Sequence, residues 1–337
     1  MRTVTSTVLM IVLACAVSAA YAHHGAAPFD GTREVTIEGV VTEFDYRNPH
    51  SYLHLQTIDQ NGDTVDVVIE TIGSSLRPFG VTRDSLSPGD RVTAVVNPSH
   101  SEPETWGLGV EATKEDGTIV PLSVRRARQI GARSTGQATS LAGIWVPRGE
   151  GFLRAITAAR EESIPLTESG EAAREAFSIE QHSQARCVGV PPPLLMLYSS
   201  IDEVEVLDDR VLIHSDWMDA ERVIYTDGRE MPESQPASVN GYSLGAWQDG
   251  ALVGTTTRFT ENNSGYTSGV ATGLSKRLEE RFEPTSDRSG LTYSFVLEDS
   301  EYLTESISGE TRWDYRPDLT PDDAPCDLES AGRYLTE

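Results

Sequence analysis

The sequence predicts an all-β protein with minor helix, built from two parts. The first is a small antiparallel barrel of the oligomer-binding kind. The second is a larger antiparallel barrel or sandwich. Three observations carry this reading. Apolar and polar residues alternate with a period of two along both halves of the 337-residue chain, which marks strands with one buried face. Turn dipeptides punctuate the alternation at Asn61-Gly62, Pro88-Gly89 and Asp249-Gly250. Helical patterning is confined to short stretches, a single turn at Ser74–Phe79 and a patch at Thr167–Ser178.

Residues 1–22 read as a secretory signal peptide. Arg2 precedes an apolar run from Val8 to Val17, and Ala20-Tyr21-Ala22 places small residues at −3 and −1 of a cleavage site. The mature chain then begins at His23, in the periplasm or outside the cell. The apolar run is too short to span a membrane, and the charged chain after it offers no second candidate. Val12-Leu13-Ala14-Cys15 raises a lipoprotein alternative, disfavoured because Cys15 falls inside the apolar run.

Residues 23–124 form the expected small barrel. Val35, Ile37 and Val41 alternate with Thr36, Glu38 and Thr42; further strands run from Tyr52 to Ile58 and over Val65–Ile69. Asn61-Gly62 suits the positive φ angles of a tight hairpin between those two. Pro88-Gly89 makes a type II turn before Val92–Val96. Trp106–Ala112 and Thr118–Val124 complete about six strands, few enough for a barrel or compact sandwich.

Residues 125–140 read as a linker. Arg125, Arg126, Arg128 and Arg133 lie there among Gly, Ser, Thr and Gln with no apolar period. The second part covers residues 141–337. Thr167 caps its helical patch, and Glu168 and Glu171 suit the positive N-terminal end. After Pro191-Pro192-Pro193 the alternation returns at Val211–His214, Ser243–Trp247, Leu252–Arg258 and Leu291–Glu298. About eight strands, mostly sequential hairpins, are expected. Gly143-Ile144-Trp145 at the start is like the Gly-x-Trp that opens a lipocalin-type barrel.

The composition excludes some partners. Fifty-two acidic residues against 27 basic ones give a formal charge of −25, the wrong sign for holding nucleic acid or anionic lipid. Lysine occurs only at Lys114 and Lys276. Two cysteines remain after export, Cys187 and Cys326, and an oxidising compartment makes a disulfide between them the expectation over free thiols or metal ligands. Such a bridge closes a long loop, worth on the order of 4–5 kcal/mol in the chain-entropy model.

Two groups of residues are candidate sites. His50 and His54 lie four apart on one strand, so both point to one face with Tyr52 between them. Together with His23 and His24 at the new N-terminus they form a candidate site for copper(II) or a similar metal, which favours nitrogen-rich sets. Cleavage one residue earlier would instead give Ala22-His23-His24, with His third from the amine. In the second part, Trp145, Trp217, Trp247, Phe259, Tyr293 and Phe295 would line an apolar ligand pocket if the barrel is hollow, or fill a dry core if it is not.

Two other patterns fail on context. Gly241-Tyr242-Ser243-Leu244-Gly245 matches the nucleophile elbow of serine hydrolases, but a strand and hairpin follow where that motif needs a helix. Asp59-Gln60-Asn61-Gly62-Asp63 lacks the distal Glu and helices of a calcium loop. No phosphate-cradling or dinucleotide fingerprint is present.

Residues 22–125 resemble an uncharacterised domain of exported bacterial proteins. The resemblance is carried by Ala22-His23-His24, Phe29-Asp30, Gly39-Val40-Val41, Arg47-Asn48-Pro49-His50 and Leu86-Ser87-Pro88-Gly89-Asp90. Gly25 departs from the serine usual after the paired histidines. Residues 141–326 resemble a second uncharacterised β-rich region, through Leu141–Trp145, Cys187, Asp227-Gly228-Arg229, Ser243-x-Gly245-x-Trp247 and Glu280-Arg281-Phe282. The resemblance implies export and a β-rich fold and brings no activity. The expected function is thus a binding or accessory protein. Its alternatives are an apolar-ligand carrier and a hydrolase using acidic residues in a cleft.

Overall fold

The computed structural model describes residues 28–130, 134–160, 163–321 and 325–332. The first part is a closed barrel. It holds β1 (Val35–Asp45), β2 (Ser51–Ile58), β3 (Thr64–Thr71), the single turn α1 (Gly73–Leu76), β4 (Arg91–Pro98), β5 (Trp106–Lys114) and β6 (Ile119–Pro121). β1 pairs with both β2 and β4, β4 with β5, and β5 closes onto β3 in parallel. This ring, β1-β2-β3-β5-β4, with a helix between β3 and β4, is the expected oligomer-binding type. Its core is the inward set of the alternation, including Leu53, Leu55, Val67, Ile69, Val92, Ala94 and Ala112. Leu76 of α1 is fully buried in that core and plugs one end of the barrel.

The turns divide along their chemistry. Asn61-Gly62 lies in a five-residue loop in which Gly62 alone takes positive φ, at 90°. The Asp59 carboxylate accepts the main-chain N–H groups of Asn61 and Asp63 (2.8 Å each), so an Asx turn replaces the expected tight hairpin. At Asp249-Gly250 both residues have positive φ (52° and 84°), the two-residue hairpin that the dipeptide favours.

The segment read as a linker begins with a helix, α2 (Val124–Ile130). Ala127 is its buried contact with the first core, and Arg126 pairs with Glu111 of β5. The absence of an apolar stripe hid this helix, because Ala127 and Val124 suffice to dock it.

The second part contains β7 (Gly143–Pro147), α3 (Glu150–Arg160), α4 (Glu168–Ala176), β8 (Asp202–Val206), β9 (Arg210–Ser215), β10 (Ala220–Tyr225), β11 (Tyr242–Gln248), β12 (Ala251–Thr257), β13 (Asn262–Thr267), β14 (Val270–Thr272), β15 (Arg277–Pro284), β16 (Gly290–Glu298), β17 (Ile307–Tyr315) and α5 (Leu328–Gly332). Nine strands close a barrel in the order β7-β8-β9-β10-β11-β12-β15-β16-β17, while β13 and β14 form a separate hairpin. Neighbours are antiparallel except at the β10–β11 seam, which is parallel and only two pairs long. Thr167 caps α4 as expected, accepting the Gly170 N–H. Cys187 and Cys326 form the expected disulfide. No helix among the described residues is long and apolar enough to cross a membrane.

Candidate functional site

The Arg47-Asn48-Pro49-His50 motif forms the β1–β2 turn, where it joins the two barrels. The Asn48 side-chain amide donates to the Asp216 carbonyl at 3.0 Å. The main-chain N–H of Asp327 donates to the Asn48 carbonyl at 2.8 Å. Ser330 of α5 accepts the His50 N–H and donates its hydroxyl to the His50 carbonyl (3.1 and 2.6 Å). Arg47 bonds Asp45 at 2.7 Å and reaches Asp327 and Glu329, and these carboxylates hold its guanidinium charged, Asp45 most strongly. Arg77 pairs with Asp216, and Arg316 donates to the Pro78 carbonyl at 2.7 Å. The disulfide at Cys326 anchors the chain entering α5.

This docking covers the outer face of β2 and β3. His50, Tyr52 and Glu70 point away from the barrel core yet are buried. Oligomer-binding barrels commonly engage ligands on that face. Here part of it holds the chain's own C-terminal residues.

The expected metal set divides accordingly. His23 and His24 lie outside the described residues. His50 Nδ1 lies 2.7 Å from the Glu70 carboxylate, both side chains being buried. His54 shares the outer face, as expected, and is half-buried. Among the described residues no group of three or more His, Cys, Asp or Glu is placed to hold a metal ion.

Five of the six expected pocket residues belong to one core. Trp145, Trp217, Phe259, Tyr293 and Phe295 are buried together in the second part. Trp145 donates its indole N–H to the Leu141 carbonyl, and Trp217 stacks on Tyr198 at 4.4 Å. Tyr293, Phe282 and Trp313 pack on one another with centroids 4.9–6.1 Å apart. Trp247 is the exception, at 44% exposed. The last β10–β11 pair is Tyr225–Leu244, so Trp247 stands beyond the end of the partner strand, near the Asp249-Gly250 tip.

The sequence reading missed a polar network inside this barrel. Arg222 and Glu280, each about 1% exposed at the side chain, form a two-pronged ion pair. Tyr293 donates its hydroxyl to Glu280 at 2.7 Å, and Arg222 also reaches Thr256 and Ser243 at 3.0 and 3.4 Å. Burial opposes the Arg222 charge, but Glu280 outweighs it and holds the guanidinium protonated. Ser243 is thus an inward strand residue bonded to Thr256 at 2.8 Å, which removes the hydrolase motif from consideration. A signal did exist: Leu278, Glu280 and Phe282 share one strand face, and a carboxylate between two apolar neighbours calls for an internal cation.

Two more buried ionisable groups went unread. The Lys276 ammonium donates to the carbonyls of Pro192 and Gly265 (2.7 and 3.2 Å) and sits over the Phe259 ring at 4.4 Å; burial brings its pKa down to about 7. Asp202 accepts the Ser200 hydroxyl at 3.1 Å, and burial raises its carboxyl to about 7.

Among the described residues, the end of the first barrel opposite α1 stays open. A trough of about 1170 Å³ lies there, between the start of β1, the end of β2, the β2–β3 turn, the starts of β3 and β4, and the end of β5. Val35, Ile37, Val65, Val67 and Val92 form its apolar wall. Glu38, Asp59, Glu104 and Glu115 stand around it, with Arg91 and Lys114 as the cations. Those two cations are engaged, Arg91 by Glu115 at 3.8 Å and Lys114 by Asp90 at 2.9 Å.

Both the docking motif and most of this trough fall in one matched segment. Residues 11–108 match the model of a family of unknown function, DUF6152. The DUF6152 segment runs through β1–β4 into the start of β5, and the β-rich second part follows it. No curated protein and no solved structure matches the chain.

Proposed function

We propose that this is an exported binding protein whose ligand site is the open mouth of the DUF6152 barrel. The observation that carries the reading is the trough of about 1170 Å³, with half-buried Val35, Ile37 and Val65 in its wall. Its volume is somewhat above the usual range for small-ligand sites, and it combines an apolar wall with a polar, charged rim. The signal-like residues 1–22 and the disulfide support export.

The finer alternatives have less support. Aromatic rings and an ion pair occupy the interior that an apolar-ligand carrier would need hollow. Glu280 of that interior is already bonded to Arg222 and Tyr293, which leaves the hydrolase reading less support there. The copper reading rests on His23, His24 and His54, since His50 is engaged by Glu70.

Methyl-labelled protein titrated with indole tests the reading by NMR. The expected result is a cluster of shifts at Val35, Ile37, Val65, Val67 and Val92, lost in an Ile37→Trp variant that fills the mouth. Undisturbed methyls at the mouth would remove the site.

A further inference from the structure

The trough has a free strand edge along one side. β3 pairs with β5 only from Val68 onward, where Val68 donates its N–H to the Thr105 carbonyl at 2.8 Å. Among the described residues, no strand lies beside Thr64–Val67 on that side. Their other edge is taken by β2. Unpaired main-chain donors and acceptors on a strand edge are a template for an added strand.

The surroundings state what kind of strand fits. Val65 and Val67 point into the barrel core, whereas Thr64 and Asp66 are exposed on the outer face. A strand laid beside them would alternate in step, one set of side chains entering the apolar mouth and the other standing on the outside. On the outside it would meet carboxylates from both flanks: Asp66 on β3, and Glu102 and Glu104 on the β4–β5 loop, all exposed. Ile58, 63% exposed, adds apolar surface at the rim.

We infer that the DUF6152 barrel takes up an extended peptide of alternating apolar and basic residues, added as a strand to the free edge at Thr64–Val67. This rests on the binding reading above and names its ligand class. The main-chain groups supply general affinity, the mouth selects apolar side chains, and the carboxylates select cations.

The probe is the capped heptapeptide Arg-Val-Arg-Val-Arg-Val-Arg, with a Glu-for-Arg version and a version N-methylated at alternate residues as controls. The Arg peptide is expected to bind the full mature chain and to slow exchange of the Asp66 amide at least tenfold. Both controls, and the Asp66→Lys variant, are expected to bind at least tenfold more weakly. Equal binding of the Glu peptide, or binding without protection of Asp66, overturns the inference. So does self-association that protects Asp66 with no peptide present, which would make a second copy the occupant. No peptide binding alongside intact indole shifts overturns the inference alone; loss of both overturns the binding reading too.

Discussion

His50 Nδ1 lies 2.7 Å from Glu70 Oε1, on the outer face of a barrel but out of contact with solvent. The pair sits where α5 and the Asp216 loop close over β2 and β3, so each buried polar side chain has the other as its near neighbour.

Replacing His50 with Ala removes the buried partner of Glu70, and leaving a buried polar group without its partner costs about 1–3 kcal/mol. Urea unfolding of His50→Ala should show that loss, and the double variant with Glu70→Ala should recover part of it. Copper(II) affinity should be unchanged by His50→Ala. A fall in that affinity without loss of stability would return His50 to the metal set.

Ser243 bonds Arg222 and Thr256 inside the second barrel. Ser243→Ala should cost about 1 kcal/mol, the ordinary loss for one internal hydrogen bond. Glu280→Gln should cost about 3–5 kcal/mol, because it leaves the Arg222 cation buried without its counter-charge. Fluorophosphonate reagents should fail to label the native protein. Labelling at Ser243 would contradict an inward, structural serine.

Asp202 should give stability a pH dependence. Burial raises its folded carboxyl to about 7 from an ordinary 3.8, so between those values the folded state holds a proton that the unfolded state has lost. Stability from this group is therefore full below about pH 4 and is lost as the pH rises through about 7. Asp202→Asn has no proton to lose. Its melting temperature should climb relative to the native protein between about pH 4 and pH 8, and a constant difference would rule Asp202 out as the titrating group.

Much of the strand pattern was legible because alternation is a local property. Val35 to Val41, Tyr52 to Ile58 and Leu291 to Leu297 each declare a buried face without reference to the rest of the chain. Helix α4 was legible through its Thr167 cap, while α2 and α3 were not, the first docking through only Val124 and Ala127. The site was less legible. The sequence marked His50 as a ligand by residue type, but its neighbour Glu70 arrives through strand pairing of β2 with β3.

The sequence by itself determined the all-β class, the six strands of the first barrel and four of the nine in the second, the acidic composition and the pairing of Cys187 with Cys326, because these follow from periodicity, composition and the count of cysteines. Tertiary structure alone decided that Arg47–His50 is a docking turn, that Trp247 overhangs the wall, that Arg222 meets Glu280, and that one barrel end stays open among the described residues. Each depends on register and closure, which bring together residues up to hundreds of positions apart, and no local pattern records where a strand's neighbour begins or ends.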